Sequence, residues 1–181
     1  MEIAATNGLE GLTIGQLAAE LNMSKSGLFA HFDSKEELQL ATLRAARRVF
    51  SDRAVVPALE VPEGVRRLSA LVSAWLDYLG RHTPHGGCLF IESAAEFDGR
   101  PGPVRDMIAE TMGMWLDLLA EQARIARDRG ELAADTDPDR LAWELHAFGL
   151  ALNWDRQLNG AEAALDRAQA AVRDRLAAAS A

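Results

Sequence analysis

Ser24, Lys25, Ser26 and Gly27 stand in a row just after Asn22-Met23, where one short helical stretch ends and another opens. Two hydroxyls and an ammonium on the first turn of a helix make a hydrogen-bonding tip. The free backbone N–H groups and the positive end of the dipole favour phosphate. Lys25 is long enough to reach a guanine edge, and Ser26 donates or accepts. Gly27 lets the backbone approach a groove closely, at a cost of about 1 kcal/mol of helix stability relative to Ala. Together these residues have the chemistry for reading double-stranded DNA.

A second group clusters in "RHTPHGGCLFIE", where His82, His85, Cys88 and Glu92 are closely spaced. A His-x-x-His pair beside a thiol is metal-ligand chemistry. Pro84 and the two glycines make solvated turn histidines the plainer reading, and no metal or cofactor is expected. Cys88, near a helix start and beside His85, is also in a setting that lowers a thiol pKa and invites reaction with an electrophile or oxidant. A lone cysteine is more often a small buried hydrophobe. Glu92, Glu96 and Asp98 offer an acidic lip for a cation, or an exposed acidic face. A third group, Trp75, Phe90, Trp115, Trp143, His146 and Phe148, suits a flat or apolar molecule, or simply a core. The chain has no phosphate-binding glycine loop, no Gly-x-Ser-x-Gly elbow and no His-Glu-x-x-His, so enzymatic chemistry is not expected.

The elements that must carry these groups are all helical. Alternating β-branched runs and hairpin turns between them are missing, while helical periodicity runs nearly throughout. Thr13-x-x-Gln16 reads as a capping box with a Leu12/Leu17 staple. Ser24 caps the next short helix, and Ser34-x-x-Glu37 forms a second capping box opening a helix to about Arg53. Pro62 is expected to start a helix through Leu79, a short one to run from about Cys88 to Phe97, and a long one from Val104 to about Arg129. Asp137-Pro138 reads as an N-cap with Pro at N1, and Asn159-Gly160 as a left-handed C-cap. A last Ala-rich helix spans 161–178.

The 181 residues carry a net charge of −8. Residues 1–53 hold six Lys/Arg against seven Asp/Glu, and the remainder thirteen against twenty, so the excess of acid lies after residue 53. A nucleic-acid surface must therefore be confined to the first part. No apolar run approaches the roughly 20 residues of a membrane span, and a single cysteine fits a reducing cytoplasm.

The block Thr13–Leu38 resembles the DNA-binding segment of the tetracycline-repressor (TetR) family, whose pattern is close to T-x-x-x-I-A-x-x-x-G-V-S-x-x-x-L-Y-x-H-F-x-x-K-x-x-L. Thr13, Leu17, Ala18, Asn22, Met23, Ser24, Leu28, Phe29, His31, Phe32, Lys35 and Leu38 occupy those places. The resemblance implies that Lys25 and Ser26 face bases and that Thr13, Ser24, Phe29, His31 and Lys35 touch or flank phosphates. Asn22 stands where the turn glycine is usual, and Phe29 where tyrosine is usual, which removes a hydroxyl. Only "MEIAATNG" precedes Leu9, against an implied first helix of about four turns. The expected cause is a start upstream of Met1 or missing leading residues, with a reduced head as the alternative.

By the same resemblance, residues 1–45 are expected to form a helix-turn-helix head and 46–181 a ligand-binding and dimerisation domain. The inducer pocket is expected among the middle helices, lined from Trp75, Cys88, Phe90, Glu92, Trp115, Trp143, His146 and Phe148. Helices 138–159 and 161–178 are expected to pair with their copies in a homodimer, with Gly149, Ala151 and the Ala-rich face of the last helix allowing close approach. The function so implied is a cytoplasmic, ligand-responsive repressor, released from a palindromic operator when a small molecule binds. The alternative is a helical protein-interaction adaptor with a reduced DNA-binding head.

Overall fold

The computed structural model describes the chain except Ala30, residues 84–86 and Ala161; the side chains of Glu2, Lys25, Phe29, His82 and Glu162 also lie outside the description. His82 and His85 as candidate ligands therefore fall outside the described residues. Among the described residues the chain is all-α, with one isolated antiparallel bridge from Leu132 to Ser180. None of the described helices is long and apolar enough to cross a membrane. The chain packs as two compact units, one of residues 1–49 and 84–111, the other of 50–83 and 112–181. The packing division thus differs from a single cut after residue 45, because a stretch from mid-chain joins the head.

The first unit begins with α1 (Glu2–Asn7), α2 (Ile14–Glu20) and α3 (Lys25–Phe29), followed by α4 (Lys35–Phe50). Helices of this length are marginal in water by themselves, so each end must be tied. The Thr13 hydroxyl accepts from Gln16 N at 3.2 Å, and the Gln16 side-chain oxygen accepts from Thr13 N at 3.1 Å, completing the capping box. At Ser34 only half of the expected box is seen: the hydroxyl accepts from Glu37 N at 3.1 Å. The Glu37 carboxylate meets Arg44, at 2.5 Å, because a cation two turns along the helix outcompetes a neutral backbone N–H. From mid-chain come α7 (Leu89–Phe97), which packs on α1, and the start of α8 (Pro103–Asp128).

The second unit holds α5 (Val56–Leu59), α6 (Val65–Asp77), the rest of α8, α9 (Pro138–Asn159) and α10 (Glu162–Ala179). Between α4 and α5 the backbone widens into a π-turn over Ser51–Val55. Pro57 explains it: proline has no N–H and its ring clashes with the carbonyl four residues back, so the ladder shifts register. A second π-turn covers Tyr78–His82. There the Leu79 carbonyl accepts from Thr83 Oγ1 at 3.0 Å and from Arg156 Nη1 at 2.9 Å. Pro62 does not open α6. The helix starts at Val65, whose N–H donates to Glu131 Oε2 at 2.7 Å, a carboxylate on the positive end of the dipole. Asp137 caps α9 by accepting from Asp139 N and Arg140 N, and Gly160 closes it in the left-handed region at φ 61°. Leu68, Leu71, Val72, Leu76, Leu79, Leu119, Leu141 and Leu145 are fully buried and form the core.

Candidate DNA-binding head and ligand-binding residues

The turn between α2 and α3 is made by Asn22, a non-glycine residue at positive φ, 52°. Asn tolerates this conformation better than other L-residues. Met23 N donates back to Ala18 O at 2.9 Å, which folds the turn against the end of α2. Ser24 then caps α3: its Oγ accepts from Gly27 N at 3.1 Å and shares a hydrogen bond with Ser26 Oγ at 3.2 Å. A Cβ on Gly27 would lie 3.1 Å from Ser24 Oγ, so the glycine also leaves room for the cap. Leu28 is buried beneath α3, while Thr13, Ser24, Ser26 and His31 are exposed in the same unit. This is a short helix with a buried underside and a polar, open N-terminal turn. Lys35 is placed differently: its Nζ binds Glu10 Oε1 at 2.8 Å, so a phosphate would compete with that carboxylate. Glu10 is held below the usual glutamate pKa, first by this hydrogen bond from Lys35.

The candidate ligand residues divide. Trp75, Trp115 and His146 come together in the second unit. His146 stacks flat on Trp75, with centroids 4.9 Å apart and planes 2° apart, and Trp75 meets Trp115 at 5.4 Å. Phe50 and Tyr78, which periodicity did not single out, extend the row; Phe50 meets each of Tyr78 and Trp115 edge-on at 5.4 Å. Among the described residues, Trp115 Nε1 and His146 Nδ1 are buried without a hydrogen-bond partner. Burial lowers the His146 pKa and keeps the ring neutral.

Cys88, Phe90 and Glu92 belong to the first unit. Cys88 and Phe90 are buried, and Glu92 is exposed. Of its two readings, Cys88 fits the small buried hydrophobe. Burial pushes its thiol pKa up, outweighing the hydrogen bonds from the backbone at Ile91 and Phe90 that act the other way. The acidic lip is also corrected at Glu96, which binds the Leu9 and Glu10 backbone N–H groups. Among the described residues no group of His, Cys, Asp or Glu has metal-binding geometry.

Trp143 does not line an interior: it is 64% exposed. It lies on the opposite side of α9 from Leu141 and Leu145, in line with Leu150, Trp154 and Leu158, which are exposed too. Phe148 faces a groove between α9 and α10, with Ala151, Leu152, Ala164, Ala168 and Ala171. Gly149, expected on an outer face, lies instead under Trp75, where a Cβ would come within 2.2 Å of the indole ring.

A capped helix-turn-helix in one unit and a larger helical unit with an aromatic cluster define a class: an all-α helix-turn-helix protein with a second helical unit. Comparison with known proteins agrees. Residues 64–172 match the family described as tetracyclin repressor-like, C-terminal domain, and residues 1–42 match the bacterial regulatory proteins of the tetR family. The chain belongs to the TetR family. The transcriptional regulator AcuR of Cereibacter sphaeroides is 25% identical over 145 residues, covering 78% of this chain and 65% of AcuR, so the chain spans just under two thirds of that relative. The crystal structure of a TetR transcriptional regulator from Chloroflexus aurantiacus superposes with a TM-score of 0.90 at 22% identity, over 99% of this chain and 90% of that one. AibR, solved in complex with isovaleryl coenzyme A and operator DNA, gives a TM-score of 0.74 at 22% identity, over 92% of this chain and 90% of its own.

Proposed function

We propose that the protein is a cytoplasmic, ligand-responsive transcriptional repressor that binds a palindromic operator as a homodimer. The observation that carries the reading is the open first turn of α3. Its capping hydroxyl, small residues and exposed neighbours suit a helix entering the major groove N-terminus first. Lys25 and Ser26 would read base edges, and Thr13, Ser24, His31 and backbone N–H groups would anchor phosphates. Phe29 holds a phosphate-flanking place without a hydroxyl to donate. That AibR was solved with both a coenzyme A ester and operator DNA supports a ligand-linked role for this fold.

The apolar outer row on α9, Trp143, Leu150, Trp154 and Leu158, supports pairing with a second copy, beside the Ala-lined groove of α10. Two heads then read two half-sites. The inducer is proposed to lie against Trp75, Trp115 and His146. There the Trp115 N–H has no acceptor among the described residues, and the neutral imidazole favours an uncharged group. Such a ligand releases DNA only through its differential affinity for the free and bound conformations.

The test is a titration of the full chain against DNA from upstream of its own gene at several salt concentrations. Two chains per site are expected, with affinity falling steeply as salt rises because phosphate contacts release counterions. Lys25→Ala is expected to weaken specific binding by about 1–3 kcal/mol. Binding equal to that on unrelated DNA would sink the repressor reading and favour a helical adaptor.

A further inference from the structure

Glu96 lies on α7, far along the chain from the helix-turn-helix, yet it grips the turn that leads into it. After α1, Gly8 takes a positive φ of 77°, and the next two backbone N–H groups point at one carboxylate. Leu9 N donates to Glu96 Oε2 at 2.8 Å, and Glu10 N donates to Oε1 at 3.0 Å. Two successive N–H groups aimed at one point make an anion cradle, here filled by a side chain of the same protein. A Cβ at residue 8 would lie 2.6 Å from Glu96 Oε1, so glycine is required there by both the φ and the carboxylate.

The other sides of the same two residues are held by α4. Gln39, itself buried, donates from Nε2 to the Leu9 carbonyl at 3.0 Å and to Glu10 Oε2 at 3.2 Å. Lys35 binds Glu10 Oε1 at 2.8 Å, and Arg100, just beyond α7, approaches Glu10 Oε2 at 3.5 Å. Leu9-Glu10 is thus clamped between α7 and α4, three residues ahead of the cap that starts α2. The clamp also has a particular place in the chain. The stretch 84–111 that carries Glu96 is joined at both ends to segments of the second unit.

We infer that Glu96 is a positioning residue for DNA binding: its carboxylate fixes the helix-turn-helix on α7 and so sets the spacing at which a dimer presents its two heads. The inference rests on the operator-binding reading above. Charge-assisted hydrogen bonds to a carboxylate are stronger than neutral ones, so the link is stiff while intact and is lost with one side chain.

The experiment uses the full chain, the operator it selects, and copies of that operator with one base pair added or removed between half-sites. The unaltered protein is expected to discriminate clearly among these spacings. Glu96→Gln and Glu96→Ala are expected to raise amide exchange at Leu9 and Glu10 about tenfold while α9 exchange is unchanged. They are also expected to reduce the discrimination between spacings several-fold. A stability defect alone would weaken all spacings equally, and faster exchange with unchanged discrimination would reduce Glu96 to a local cap. Either result overturns the inference. Absence of salt-dependent operator binding by the unaltered protein overturns the functional reading first, and is recognised before any substitution is made.

Discussion

The two units of this protein are held together by different means. In the first, α1, α2 and α3 are five to seven residues each, and they and the start of α4 are fixed by Thr13, Ser24, Ser34 and the carboxylates of Glu10 and Glu96. In the second, helices such as α9 and α10 run for 22 and 18 residues over a leucine core with aromatic rings in contact. Hydrogen bonds near the surface contribute about 0.5–1.5 kcal/mol each, whereas a buried leucine contributes several times that when its cavity cost is included. The head is therefore expected to open locally at lower free energy than the body. Elements that move in response to a ligand come from the low-stability end of a structure.

The comparison is sharpened most by a large lesion in the body. Leu145→Ala, at a fully buried position on α9, is expected to lower unfolding free energy by about 2–5 kcal/mol in chemical denaturation. A loss below about 1 kcal/mol would mean that the second unit does not depend on its core as argued.

Gly149→Ala is next, and its sign is informative. Replacing a helical glycine by alanine normally gains about 1 kcal/mol. Here the new Cβ would sit 2.2 Å from the Trp75 ring, and overpacking of that kind costs about 1–3 kcal/mol. Net destabilisation is expected, with a change in the near-ultraviolet signal of the Trp75–Trp115–His146 stack. A net gain in stability would show that Trp75 moves freely, as a wall that adapts to its ligand does.

In the head, Thr13→Ala removes one capping hydroxyl and is expected to cost about 1 kcal/mol. That corresponds to roughly fivefold faster amide exchange in α2, with exchange in α9 unaltered. Equal acceleration in both units would show that they open as one, and the contrast drawn above would fail.

The same contrast explains what was legible in the sequence. Thr13 with Gln16, Asn22, Ser24, Asp137-Pro138 and Gly160 each act within four residues of themselves, so spacing alone located them correctly. Glu96 meets Leu9 from 87 positions away, and nothing local in either sequence marks the pair. Trp143 and Gly149 were misread for a related reason. The apolar residues of α9 surround the helix, so periodicity could not say which side faces in; that is decided by the Trp75 ring seated on Gly149. Cys88 was placed at its helix start correctly, and burial, which local sequence does not reveal, raises its pKa and decides between its two readings. The caps and the turn of the head were therefore largely visible in advance, and the interior of the body was not.

The smallest expected effect separates the units by pH. His146 has a pKa lowered by burial, so the folded chain keeps it neutral while the unfolded chain protonates it near the ordinary value of 6.5. Between the unfolded and folded pKa the unfolded state binds more protons, and stability falls as pH drops below about 6.5. Above that value the residue contributes no pH dependence. Glu10, lowered first by Lys35, acts in the same direction but later: its contribution is present above 4.5 and is lost as pH falls through the depressed folded value. Glu144 in the second unit, lowered first by Arg175, is lost in that same acid range, so only the His146 window belongs to the body alone. His146→Phe keeps a ring against Trp75 and removes the titration. Denaturation midpoints between pH 7.5 and 5.5 are expected to fall less in this variant than in the unaltered protein. Parallel profiles would mean that the imidazole already has a proton-accepting partner when folded, and that the body's interior is more polar than its aromatic row implies.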